Sequence, residues 1–177
     1  MSMYTEPAAG AVATTTMTSP LGEIVIAARA GAVCEIRLPD ATIGLPPESG
    51  RPREAADVPV ADGVLGEARR QLAEYFAGRR REFDLPLGLR GTAFQESVWQ
   101  ALLGVRYGET VSYTELARAA GAPTAARAVG AAVGRNPLPI VVPCHRVIGA
   151  AGDLRGFASG LARKRWLLQA ETAHGRS

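Results

Sequence analysis

Lysine is nearly missing from this chain: Lys164 stands alone beside 19 arginines. The skew fits phosphate recognition, for which the rigid guanidinium fork is suited, and fits a GC-rich genome equally well. Cysteine is as scarce, with only Cys34 and Cys144, far apart in sequence. Two such residues build no disulfide framework, and a reduced, cytoplasmic protein is expected. Histidine also numbers two, His145 and His174. With His174 near the end of the chain and no recognisable ligand spacing, no metal is expected. No apolar run approaches the roughly 20 residues of a membrane helix, so no membrane partner is expected. Met1 to Ala13 lacks the basic and apolar stretches of a signal peptide, and residues 1–13 are expected to be a flexible tail.

What is present is enough apolar material for a core: 47% of 177 residues are hydrophobic. The net charge of +3 conceals an asymmetry. Residues 1–88 carry 9 basic and 12 acidic side chains, and residues 89–177 carry 11 basic and 5 acidic. A polyanion would therefore bind the second half.

The first half reads as a meander. Thr14 to Thr18, Gly22 to Arg29 and Val33 to Leu38 are rich in Val, Ile and Thr and are separated by turn residues. Cys34 lies within the third strand as a small buried hydrophobe. Pro39 to Gly63 is rich in Pro, Gly, Asp and Glu and reads as a long surface loop. Asp62 to Ala77 is helical, with Leu65, Ala68, Leu72, Tyr75 and Phe76 on one face. A short strand is expected over Glu82 to Leu87.

The second half is helical. Thr92-Ala93-Phe94-Gln95 and Ser112-Tyr113-Thr114-Glu115 are capping boxes. The first opens a helix with Phe94, Val98, Ala101 and Leu102 on one face, and the second opens a short helix to about Ala120. Gly121 to Thr124 is a turn, and Thr124 is expected to cap a helix from Ala125 to about Gly134. Two short helices on such a turn match a helix-turn-helix, and match an ordinary helical hairpin as well. Asn136-Pro137-Leu138-Pro139 ends that helix. Ile140 to Val142 reads as a short buried strand that delivers Pro143-Cys144-His145-Arg146-Val147. A last helix is expected from Leu161 to Glu171, then a loose tail over residues 172–177.

A cysteine beside a histidine is a candidate nucleophile, since the thiolate is the reactive form and an oriented imidazole can take its proton. In an extended segment the two side chains would point apart, so the dipeptide alone fits a structural pair equally well. The wider stretch, Asn136-Pro137-Leu138-Pro139-Ile140-Val141-Val142-Pro143-Cys144-His145-Arg146-Val147-Ile148-Gly149, resembles the active-site signature of the O6-alkylguanine-DNA alkyltransferases, or methylated-DNA–protein-cysteine methyltransferases. Ser112-Tyr113, Ala125-Ala126-Arg127-Ala128-Val129-Gly130 and Lys164-Arg165-Trp166-Leu167-Leu168 extend the resemblance. It is strong over roughly residues 91–171 and weak in the first half.

The resemblance implies an α+β protein. An RNase-H-like α/β domain over residues 14–88 would precede a helical, winged-helix-like domain with a helix-turn-helix over residues 89–171. It implies single-turnover, suicide repair of O6-alkylguanine, and of O4-alkylthymine, without a cofactor. The partner would be double-stranded DNA, bound through the minor groove with the damaged base flipped out, by a protein monomeric when free. Cys144 would accept the alkyl group. His145 would act as base through a water, Glu171 would orient His145, and Asn136 would hold the turn. Tyr113 would push at the flipping phosphate and donate a proton to the leaving guanine. Arg127 would replace the extruded nucleotide in the stack. DNA contacts are further expected from Ala126, Ala128, Gly130 and Arg135, and pocket walls from Pro139, Val147, Phe157, Ala158 and Ser159.

Two departures stand out. Phe157-Ala158-Ser159-Gly160 occupies the place of the family's Tyr-x-Gly-Gly, and the ligands of an N-terminal zinc site found in some relatives are missing. Three other readings remain at this stage. They are a non-catalytic alkyltransferase-like lesion binder, which would lack the cysteine; a helix-turn-helix regulator; and a cysteine hydrolase that turns over.

Overall fold

The computed structural model describes residues 11–45 and 63–175. The expectations for residues 1–10, 46–62 and 176–177 lie outside the described residues.

Strands β1 (Val12–Ser19), β2 (Gly22–Arg29) and β3 (Ala32–Arg37) form an antiparallel sheet in that order. A register shift falls at Ala27/Ala28. The sheet starts at Val12, so the segment expected to be tail gives up its last two residues to β1. Helix α1 (Val64–Phe76) packs on the sheet through Ala68, Leu72, Tyr75 and Phe76, the face expected from periodicity. Cys34 lies in β3 but is only half-buried.

The strand expected over Glu82 to Leu87 does not form. Only Leu87 bridges to Val33. The backbone at Asp84 is satisfied instead by a side chain of α1: Gln71 Nε2 donates to Asp84 O at 2.8 Å, and Asp84 N–H donates to Gln71 Oε1 at 2.8 Å. Donors and acceptors already paired in this way are not available to a ladder.

Both expected capping boxes are present, opening α2 (Ala93–Leu103) at Thr92 and α3 (Tyr113–Ala119) at Ser112. Helix α4 (Ala126–Gly134) departs from expectation. Its first flanking residue is Ala125, and no side chain, Thr124 included, caps it. The turn closes on backbone bonds instead, Ala122 N to Ala117 O and Ala125 N to Ala122 O, both 2.9 Å. Trp99 of α2 locks α4 in place by donating from Nε1 to Ala132 O at 3.0 Å.

Ile140 to Val142 is buried as expected but is not a strand. It is a tight turn with a bridge between Pro139 and Val142 and with Ile140 at φ 77°. A β-branched residue at positive φ is strained. Full burial of Ile140 and the bonds that close the turn offset that cost. A 3-10 turn, Cys144–Arg146, follows, and β5 (Val147–Ile148) then pairs in parallel with β4 (Val111–Ser112).

Helix α5 runs from Leu161 to Gly175. Residues 172–175, expected to be tail, are therefore helical: no breaker intervenes, and Arg81 holds the end by donating to His174 O at 2.9 Å. One continuous core joins the halves, from Met17, Ile24 and Leu72 to Val98, Trp99, Leu116 and Leu167. The architecture is α+β, as expected.

Ser112 both caps α3 and sets the direction of Tyr113, the first residue of that helix. Ser112→Ala should cost about 1 kcal/mol in urea unfolding. An unchanged midpoint would mean that the cap contributes nothing.

Candidate active site

Cys144 heads the 3-10 turn and is 6% exposed. Its position is fixed from upstream. Asn136 donates from Nδ2 to Val142 O at 2.7 Å and accepts from Leu138 N–H on Oδ1 at 2.9 Å, so one amide closes the turn at both ends. The cysteine opens on a small cavity of about 50 Å³, walled by Val133, Gly134, Asn136, Pro139, Gly156, Phe157, Ala158 and Ser159. Larger hollows lie elsewhere, including a groove of about 520 Å³ beneath β3. Size alone would misplace the site.

Behind the cysteine lies a buried ionic cluster centred on Glu171, which is 1% exposed. Its Oε1 accepts from His145 Nε2 at 2.7 Å, Tyr75 Oη at 2.6 Å and Arg146 Nη2 at 2.9 Å. Its Oε2 accepts from Arg146 Nε at 2.9 Å and from Gly108 N–H at 3.0 Å. Burial alone would raise this carboxyl. The hydrogen bonds from His145 and Arg146 and the charge beside it more than offset that, and Glu171 is held well below the ordinary carboxylate range. It is therefore an acceptor, and the histidine nitrogen facing it carries the proton.

Burial pushes the His145 imidazole below its usual value, with Glu171 opposing. The ring is neutral at neutral pH, protonated on Nε2, and Nδ1 keeps its lone pair. That nitrogen is buried with no partner among the described residues. Burial likewise pushes the Cys144 thiol up, while the Asn136 amide and the Lys164 ammonium pull it down. Lys164 is fully buried and donates to Val147 O and Arg155 O, which pins the turn to the loop before Phe157.

Tyr113 stands half-buried over the loop, donating to Arg155 O at 3.4 Å. Its ring packs close to Gly130 of α4, and its hydroxyl lies near Gly156. Burial, then the charge of Cys144, raises its phenol above the ordinary value, so it keeps its proton. Arg127, Ala128 and Arg135 are exposed along or just beyond α4, with Ala126 and Gly130 partly so. Phe157, Ala158, Ser159 and Pro139 line the cavity beside Cys144. Val147 does not: its side chain is fully buried within β5, where pairing with Val111 turns it into the core. Ser159 carries no backbone strain, because Ala30 and Ile140 are the only non-glycine residues at positive φ among the described residues. The departure from glycine is thus one of volume alone.

Sequence reasoning missed three members of the cluster. Arg146 was visible only as part of the motif, and Tyr75 was read as core. A tyrosine on a buried face was the available signal, since its hydroxyl needs a partner. Nothing in the sequence marks the Gly108 N–H.

Comparison with known proteins agrees over nearly the whole chain. The family model for the 6-O-methylguanine DNA methyltransferase ribonuclease-like domain matches residues 12–89, and that for the DNA binding domain of the same family matches residues 93–173. A methylated-DNA–protein-cysteine methyltransferase from Mycobacterium bovis is 47% identical over 156 residues, which is 88% of this chain and 90% of the relative. The crystal structure of Mycobacterium tuberculosis O6-methylguanine methyltransferase superposes with a TM-score of 0.76 at 44% identity, covering 93% of this chain and 94% of that one. A Mycobacterium tuberculosis OGT solved in complex with DNA gives a TM-score of 0.73 at 44% identity, covering 90% and 92%.

Removing the charge on Glu171 leaves Arg146 buried without a counter-ion. Glu171→Gln should therefore lose about 3 kcal/mol or more at neutral pH by urea unfolding. The acid sensitivity should change with it. A carboxyl whose folded value is depressed contributes stability above its ordinary 4.5, and that contribution is lost as pH falls below it. The wild type should show that loss below pH 4.5 and the variant should not. Near-wild-type stability in Glu171→Gln, or an unchanged acid limb, would refute this account of the cluster.

Proposed function

The chain belongs to the family of methylated-DNA–protein-cysteine methyltransferases, and from that premise we propose how its residues divide the reaction. The family's chemistry is direct reversal of DNA damage: an alkyl group leaves the O6 of guanine for a cysteine of the protein, once per molecule. Here the acceptor is Cys144. The observation that carries this assignment is its place at the cavity floor, backed by a neutral His145 whose free nitrogen is Nδ1.

The steps follow from the proton inventory. The Cys144 thiol passes its proton to His145 Nδ1 through a water, and Glu171 stabilises the imidazolium that results. The sulfur attacks the alkyl carbon, and the bond from that carbon to O6 breaks. Tyr113, which keeps its phenolic proton at neutral pH, protonates the departing guanine, and the proton taken up by His145 returns to the Tyr113 phenolate through water, so that both groups end neutral. The product is a thioether, which water does not readily reopen, so no turnover follows. Asn136 acts as a positioning residue by closing the turn beneath Cys144.

Double-stranded DNA carrying the lesion is the partner. The reading places α4 in the minor groove, where the small side chains Ala126, Ala128 and Gly130 let backbone and DNA approach closely. Arg127 fills the gap left by the extruded nucleotide, and Arg135 extends the basic face. The free protein is read as a cytoplasmic monomer.

Intact-mass analysis after mixing with a duplex bearing one methylated guanine should show a gain of one methyl group, on Cys144, and then no further reaction. Cys144→Ser should abolish transfer yet keep DNA binding. Turnover, or label on Cys34, would overturn the assignment. Arg127→Ala should slow repair of duplex DNA far more than reaction with the free alkylated base, since its role is confined to flipping. Equal losses on both would reduce Arg127 to a structural residue.

Ser159 lines the cavity beside Cys144, where its hydroxymethyl group takes up space that a glycine would leave open to a bulky alkyl group. Ser159→Gly should raise the rate with benzylated guanine by about tenfold while leaving the methyl rate nearly unchanged. An unchanged benzyl rate would show that Ser159 does not limit the cavity.

A further inference from the structure

Arg163, on the first turn of α5, is 2% exposed and, among the described residues, has no carboxylate within bonding distance. A buried guanidinium is costly unless its donors are met, and here every acceptor is a backbone carbonyl. Nε donates to Leu21 O at 3.0 Å. Nη1 donates to Asp40 O at 3.2 Å and to Ser159 O at 3.0 Å. Nη2 donates to Ile43 O at 2.8 Å and to Gly44 O at 3.5 Å. Four of these five carbonyls belong to the N-terminal half, from the β1–β2 turn and the segment after β3. The fifth belongs to Ser159, a wall of the cavity above Cys144.

The packing repeats the connection. Gly160, at φ 93°, lies so near Ala41 that a side chain there would meet its Cβ at 3.4 Å. The segment that Arg163 grips is itself stiffened at the surface. Asp40 Oδ1 accepts from Thr42 N–H at 2.9 Å and Thr42 Oγ1 at 2.8 Å. The Asp40 carboxylate is held below its ordinary value by those bonds, and the Arg163 charge adds to that effect.

We propose that Arg163 is a positioning residue for substrate size: it ties the cavity wall at Phe157–Gly160 to the N-terminal half and thereby sets how large an alkyl group Cys144 accepts. Through this guanidinium the N-terminal half acts on selectivity without touching the reacting atoms. The proposal rests on the reading of the cavity as the alkyl pocket. Lysine at 163 would keep the charge, but its single ammonium cannot span five carbonyls in a fork geometry. The wall would then yield to a bulky group.

The test uses the full chain with free O6-methylguanine and O6-benzylguanine, so that DNA binding does not enter. Arg163→Lys should raise the ratio of benzyl to methyl rates about tenfold, the effect expected from losing a charge-assisted bond at the wall. The pH profile of transfer should stay unchanged, because the Glu171 cluster is untouched. Asp40→Ala, an exposed substitution that loosens the gripped segment, should move the ratio in the same direction by a smaller factor, and it decides the matter if Arg163→Lys does not fold. A folded Arg163→Lys with the wild-type ratio, or an Asp40→Ala with no shift where the lysine variant is lost, overturns the proposal. Ser159→Gly separates the two levels. If it alters the ratio and the clamp variants do not, Arg163 merely supports the fold. If none of the three alters it, the cavity reading itself is wrong and the proposal falls with it.

Discussion

A carboxylate with almost no contact with water is the constraint on which the site depends. Glu171 survives as an anion because five donors converge on it, two of them from Arg146. In a low-dielectric interior such a group is costly unless fully paired. Full pairing in turn fixes every partner. Arg146 is drawn inward and spans to Val105 O, His145 is turned so that Nε2 faces the carboxylate, and the 3-10 turn carrying Cys144 has no freedom left. The nucleophile is held between the ion pair behind it and the turn that Asn136 closes upstream.

The same carboxylate accounts for the dependence of the second half on the first. Tyr75 comes from α1, packed on the N-terminal sheet, and its phenol is pushed far up by burial and by Glu171, so it remains a donor. Tyr107 lies between, with its ring edge-on to Tyr75 and its face toward the Arg146 guanidinium at 5.7 Å. On the other side of the site Arg163 makes the second junction. The basic half carries the chemistry, and the acidic half holds it in register from both flanks.

Much of this was legible in the sequence because local rules decide it. The capping boxes at Thr92 and Ser112 formed where their spacing required. The apolar face of α1 and the three-strand meander followed from periodicity. What failed failed for non-local reasons. Ile140 to Val142 has the composition of a strand, yet Asn136 folds it into a turn by a bond across six residues. Glu82 to Leu87 lost its strand to Gln71, thirteen residues from Asp84. Val147 was expected in the pocket because the motif contains it, but β-pairing turned it inward. Cys144, His145 and Glu171 were identified through the family resemblance. Tyr75 and Gly108, which complete the cluster, were not, because the contacts that recruit them span 96 and 63 residues.

Activation of Cys144 depends on the state of one imidazole. A nitrogen-15 NMR titration of His145 in the full-length protein reads protonation at each ring nitrogen directly. The expected result is a neutral ring with the proton on Nε2 and a bare Nδ1, persisting as pH falls through 6.5, since burial holds its folded value below that point. A ring that is cationic at neutral pH, or that carries its proton on Nδ1, would leave no base toward Cys144 and would contradict the mechanism.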